Sequence, residues 1–185
     1  MALTVEDGSI VAGAESYASV ATATAYHAAR GNVEWAALAS DTVREQCLRK
    51  ATDYMTQAYR WRWAGFRKTP TQSLDWPREA VYLAAESLNV EAMSVWGAYP
   101  PGLPYLVSNS VVPIEVRNGC AELALRVSAA PLIKDEVLTR IKKEKVGPLE
   151  MEYFEGGSTV VRYTAIDLVL SKYFKASNTN RTTRG

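Results

Sequence analysis

Histidine is nearly missing from this sequence of 185 residues: His27 stands alone. Only two cysteines occur, Cys47 and Cys120, and they are not spaced as a ligand pair. A zinc centre draws on three or four such donors, so no metal site is expected. Two thiols do not make a disulfide framework either. Both sit among apolar residues at helical spacing, which predicts buried thiols from a reducing compartment. His27 falls in an Ala-rich stretch and is expected to be structural. No Gly-x-Ser-x-Gly elbow occurs, and Gly156-Gly157 lacks the Lys-Ser/Thr of a phosphate loop. Acidic residues are scattered, with no pair assignable to one cleft. The expectation is a protein without cofactor that is not an enzyme. Charge of one sign is not in excess, with 21 Lys and Arg against 20 Asp and Glu. A dedicated nucleic-acid binder usually has a basic surplus, so bulk charge speaks against that class and leaves only a local patch open. No apolar run reaches membrane length. No basic segment followed by an apolar run opens the sequence, and synthesis and use in the cytosol are expected.

What is present is ordinary globular material, 48% hydrophobic and 22% charged, enough for one domain with a sizeable core. Residues 2–13 read as an irregular or short-strand arm around the turn-like Glu6-Asp7-Gly8-Ser9. Ser16 and Ser19 both offer helix N-caps. Residues 20–30 form a first helix, stopped at Gly31, with Ala21, Ala25 and Ala28 as a small-residue stripe for close helix approach. Residues 33–38 give a short helical turn carrying Trp35. Ser40 caps the best helix, residues 41–60, whose seam is Val43, Cys47, Ala51, Tyr54, Met55 and Ala58. A turn-rich stretch follows through Trp76-Pro77-Arg78. Residues 89–112 read as a long loop stiffened by Pro100, Pro101 and Pro104. Pro113 suits the first turn of a helix with the seam Val116, Cys120, Leu123 and Val127. Residues 137–155 predict a β ribbon, because Leu149, Met151 and Tyr153 alternate with Glu150 and Glu152 beyond Gly147-Pro148. Thr164 and Asp167 resemble a capping box for a last helix, with Ile166, Val169, Leu170, Tyr173 and Phe174 on its apolar side.

The fold class expected is mainly α: a four-helix bundle-like core with an inserted β-hairpin or ribbon and extended arms. Val20 and Ala23, Val43, Cys47 and Met55, Val116, Leu123 and Val127, and Val169, Leu170 and Tyr173 are the expected core. Residues 1–174 form a single domain, and residues 175–185, with cations and no acid, form a flexible C-terminal arm.

Two basic stretches carry alternative readings. Trp61, Trp63, Phe66 and Trp76 are interleaved with Arg60, Arg62, Arg67 and Lys68. Rings beside cations suit the stacking of single-stranded bases. Their position at the end of a helical seam favours core filling instead. Lys134, Arg140, Lys142, Lys143 and Lys145 form the second stretch, read either as solvated edge protection or as a surface facing DNA.

Three segments carry a resemblance when taken in order. Val5-Glu6-Asp7-Gly8 through Ala14-Glu15-Ser16-Tyr17-Ala18-Ser19 to Ala25-Tyr26-His27-Ala28-Ala29-Arg30-Gly31 is the first. Gln72-Ser73-Leu74-Asp75-Trp76-Pro77-Arg78 is the second, a structural motif centred on Gln72, Leu74, Trp76, Pro77 and Arg78. Lys145-Val146-Gly147-Pro148-Leu149-Glu150-Met151-Glu152-Tyr153 is the third. Together they resemble a family of tailed-phage head-to-tail connectors, or adaptors, whose members are often labelled DnaT-like single-stranded DNA-binding proteins. The resemblance implies a structural, virion-borne adaptor at the neck, assembled in the host cytoplasm. It would form a ring of about twelve copies on the portal protein, meet a stopper or tail terminator/completion protein, and let double-stranded DNA pass without reading its sequence. On that reading Trp96, Tyr99, Pro100 and Tyr105 serve the ring interface. Tyr173, Phe174, Lys175, Arg181 and Arg184 dock the portal, and Arg140, Lys142, Lys143 and Lys145 face the channel or tail. The alternative is a single-stranded DNA-binding protein of phage replication.

Overall fold

The computed structural model describes residues 2–87, 104–132, 143–146, 149–152 and 163–175. In chain order the elements are α1 (Val20–Ala28), α2 (Val33–Ala36), α3 (Asp41–Tyr59), β1 (Phe66–Arg67), β2 (Arg78–Glu79), β3 (Tyr82–Ser87), β4 (Pro104–Leu106), α4 (Ile114–Ala129), β5 (Lys143–Val146), β6 (Leu149–Glu152) and α5 (Thr164–Leu170), closed by a 3-10 turn, Ser171–Tyr173. Helix is the main regular structure among the described residues. The strands form three antiparallel pairs, β1 with β2, β3 with β4, and β5 with β6. The ribbon expected from sequence is the last pair, in register from Lys143 opposite Glu152 to Val146 opposite Leu149.

The core is built around α3 and α4, and four comparable bundle helices are not what the described residues form. α3 has 19 residues and α4 has 16, whereas α1, α2 and α5 have nine, four and seven. Cys47, Leu48, Ala51 and Met55 of α3 are buried together with Val116, Cys120, Leu123 and Ala124 of α4. Full burial contributes about 1.5–3 kcal/mol for each of the Leu, Met and Val side chains among them. Both cysteines are free and buried. Ser40 caps α3 by accepting from the Val43 N–H. Ser19 caps α1 by accepting from the Thr22 N–H at 3.0 Å. Ser16 does not cap; it is buried, and its hydroxyl donates to the Ala18 carbonyl.

Three expectations about faces need correcting. The stripe Ala21, Ala25 and Ala28 faces solvent, while α1 buries Ala23, as expected, together with His27. Alanine is apolar enough for either face, so the Ala-rich pattern carries no orientation. Val169 is 48% exposed; Ile166 and Leu170, four apart, are the buried residues of α5. The capping box of α5 does not form: Tyr163 occupies the cap without a side-chain bond, and Asp167 pairs with Arg62 instead.

The N-terminal stretch is not an arm. Glu6 and Gly8 are buried. The Glu6 carboxylate accepts from the N–H groups of Gly8 at 2.8 Å, Ile10 at 3.0 Å and Val11 at 3.0 Å. It thereby satisfies three backbone donors that a loop of this shape leaves without strand partners. It also holds Ile10 at φ +65, a left-handed conformation that a β-branched residue avoids. Gly8, at φ +110, lies so close to Ser110 that any side chain would strike its carbonyl. The loop is thus docked where the chain enters α4.

His27 ties α1 to α4. Its Nε2 lies 3.0 Å from the Ala121 carbonyl, which only accepts, so Nε2 carries the proton. Nδ1 then accepts from the Asn32 amide at 3.0 Å. The ring packs on Trp35 with centroids 4.9 Å apart. Burial lowers the His27 pKa below 6.5. The Ala121 bond and Glu122 oppose the shift, and Arg30 and Arg126 reinforce it. A histidine with a depressed folded pKa binds its proton more readily in the unfolded chain. Its contribution to stability is therefore full above about pH 6.5 and lost as pH falls below that value. Urea midpoints should decline from pH 7 to pH 5.5, and His27→Gln should flatten that decline while lowering stability at every pH. Parallel declines in the two proteins would exclude His27 as the source. Separately, Glu6→Gln places an amide among three N–H donors and should cost about 3 kcal/mol. A loss below about 1 kcal/mol in the same urea assay would contradict the role given to Glu6.

Candidate nucleic-acid interface

The end of α3 runs straight into the stretch where sequence placed aromatics and cations side by side. Residues 60–68 contain Arg60, Arg62, Arg67 and Lys68 and no acid. Their fold is set from beneath by rings. Trp63 is buried, with its ring centroid 5.1 Å from Phe174 and 5.7 Å from Trp76, the latter edge-on. Trp76 in turn meets Tyr173 at 5.4 Å, and Tyr59 meets Phe174 at 5.5 Å. Edge-to-face packing of this kind adds about 0.5–1.5 kcal/mol per pair beyond the area buried.

A polar knot fastens the turn above the rings. Arg78 is buried, and its guanidinium donates to three carbonyls: Ala64 at 2.7 Å, Gly65 at 2.8 Å and Asp75 at 3.2 Å. Gly65 adopts φ +62, and a side chain there would collide with the Glu79 carbonyl. The Asp75 carboxylate, fully buried, accepts from Arg60 at 3.0 Å, and the Asp75 N–H donates to the Tyr17 hydroxyl at 2.9 Å. Burial raises the Asp75 pKa against the pull of Arg60 and Arg78. The same burial lowers that of Arg78. The Gln72 amide donates to the carbonyls of Leu74 and Pro77, while its oxygen accepts from the Thr69 N–H. The Trp76–Pro77 bond is cis. Gln72, Leu74, Trp76, Pro77 and Arg78 are all buried.

Two rings are left outside this packing. Trp61 is 82% exposed and Phe66 72%. Core filling therefore describes Trp63 and Trp76 but not Trp61 or Phe66. Sequence could not separate the four, because the reversal of the chain after α3 decides which rings turn inward. Of the neighbouring cations, Arg60 and Arg62 keep somewhat over a third of their side chains in solvent. Arg67 donates to the carbonyls of Pro70 and Gln72. Lys68 is half-buried and has no ion pair among the described residues.

The C-terminal segment reaches the same place, which no local sequence signal foretold. Trp63 and Phe174 form an antiparallel bridge. The Ala64 N–H donates to Tyr173 O and the Lys175 N–H to Arg62 O, both at 2.8 Å. Tyr173 is buried, with its hydroxyl donating to Glu115 at 2.7 Å, and Phe174 is half-buried against Tyr59 and Trp63. Both rings are internal anchors of this chain rather than displayed groups. Lys175 is exposed.

Lys143 and Lys145 lie on β5 and Tyr105 on β4, at positions where only the backbone is described. Trp96, Tyr99, Pro100, Arg140, Lys142, Arg181 and Arg184 lie outside the described residues. No group of three or more His, Cys, Asp and Glu that would hold a metal ion occurs among the described residues. No described helix is long and apolar enough to cross a membrane.

No curated protein and no solved structure matches the chain. The sequence model of one protein family does, over residues 1–94 and 103–185. That family is described as "Putative DnaT-like ssDNA binding protein". The match corrects the reading drawn from resemblance. A family described in these words does not support a head-to-tail adaptor of the virion neck. The portal, stopper and tail partners, the ring of subunits around passing duplex DNA, and the docking roles given to Tyr173, Phe174, Lys175, Arg181 and Arg184 lose their basis with it. With nearly its whole length matched, the chain belongs to the DnaT-like ssDNA-binding protein family.

Proposed function

We propose that this protein binds single-stranded DNA, as a binding protein rather than an enzyme, through the braced turn of residues 60–68. The observation that carries the reading is the exposure of Trp61 and Phe66, at 82% and 72%, on a turn whose backbone is fixed from inside by Trp63 and Arg78. An unpaired strand offers ring faces that a duplex hides within its stack. Bases therefore dock on exposed aromatics without regard to sequence, each stacked base contributing about 1–3 kcal/mol. Cations beside the rings meet the phosphates and make binding salt-dependent. Of the four cations in these nine residues, Lys68 has no ion pair among the described residues, and Arg60 and Arg62, though paired with Asp75 and Asp167, keep over a third of their side chains in solvent. The rigidity beneath the rings matters as well, because a platform already in place has little ordering left to lose on binding.

Fluorescence anisotropy with labelled oligothymidylate, and with a duplex of equal length as competitor, tests the proposal. Single strands should bind more tightly than duplex. Trp61→Ala and Phe66→Ala should each weaken binding about ten- to hundredfold with unchanged unfolding midpoints. Equal affinity for duplex, or full affinity in both variants, would overturn it.

A further inference from the structure

Most of the positive charge around Trp61 is already engaged. Arg60 is held by buried Asp75, and Arg62 lies 3.0 Å from Asp167 with its guanidinium over the Phe174 ring at 4.1 Å. Arg67 is spent on backbone carbonyls. A single strand nevertheless brings a phosphate with every nucleotide, and each must be met by a cation or kept in water. Lys68 lies in the same turn as the exposed rings. A further cation comes from the far end of the chain.

The bridge between Trp63 and Phe174 fixes where Lys175 goes. In an antiparallel ladder the residue after Phe174 faces the residue before Trp63, with Cα atoms about 5.5 Å apart. Lys175 therefore stands opposite Arg62, a placement fixed by its N–H donating to Arg62 O at 2.8 Å. The Arg62 side chain itself folds over the Phe174 ring and pairs with Asp167. Lys175 is exposed, and its side chain has no ion pair among the described residues. With Arg62 matched by Asp167, Lys175 is the cation left here to meet a phosphate.

We propose that Lys175 is a phosphate-contacting residue of the single-strand surface, so that the C-terminal strand completes a site begun by the turn after α3. This inference rests on the function proposed above. Oligothymidylate affinity is measured over a range of potassium chloride concentrations with the full chain. Lys175→Ala should lower the slope of log K against log salt by about 0.7, the share of one phosphate contact on a single strand. Lys175→Arg should keep the slope. Lys50→Ala, an exposed cation about 15 Å back along α3 from Arg60, should also keep it. Unfolding midpoints equal to that of the parent protein establish that each variant is folded. If the parent binds and Trp61→Ala weakens it, but Lys175→Ala keeps the parental slope, the inference is overturned and the reading of the turn stands. If the parent does not bind oligothymidylate, both fall together.

Discussion

The buried guanidinium of Arg78 is the interaction on which the arrangement of this protein's surface depends. It ties the carbonyls of Ala64 and Gly65, after α3, to that of Asp75, just ahead of the cis Trp76–Pro77 bond. A lysine in its place would bring one compact charge where three carbonyls await a planar fork of donors. A cation held this deep carries a large desolvation cost, offset only when every donor is matched and an anion stands near. Asp75 meets the second condition, and Arg60 shares it.

Ring packing and the polar knot act in concert. Trp63 and Trp76 point into the space that Tyr173 and Phe174 close from the other end of the sequence. With Trp63 committed inward, the turn displays Trp61 and Phe66 outward. The exposed rings are therefore a consequence of which rings are buried, and the exposed turn and the core are one construction. The same logic governs the N-terminal loop, where one carboxylate organises three N–H donors and Gly8 permits contact with the entry to α4.

Much of this was legible in sequence. The cap at Ser40 and the Cys47, Ala51 and Met55 seam define α3, because capping and 3.6-residue periodicity are local signals. The ribbon at residues 143–152 was legible from alternation. The Ala-rich helix was found with Ala23 inward, but its Ala21, Ala25 and Ala28 stripe was misplaced, since methyl groups on every side leave the register to His27 and its partners on α4. The N-terminal stretch was read as an irregular or short-strand arm and its docking was missed, because a loop closed by a single buried carboxylate has no periodic signature. The turn after α3 was the least legible. Nothing local distinguishes Trp61 from Trp63, and the pairing of residues 62–64 with 173–175 spans more than a hundred positions. The stacking alternative was visible in the composition of residues 60–68, and what it lacked was knowledge of which rings stay exposed. Net charge misled in the same way, since an average of +1 hides a turn with four cations.

Photo-cross-linking tests the central claim most directly. An oligodeoxynucleotide carrying iodouracil couples to aromatic side chains against which its bases stack. After irradiation with the native protein, peptide mapping should place the adducts on Trp61 and Phe66, with unlabelled single strand suppressing them more effectively than duplex. Adducts confined to other segments, such as the hairpin of residues 143–152, or equal suppression by duplex, would contradict the account.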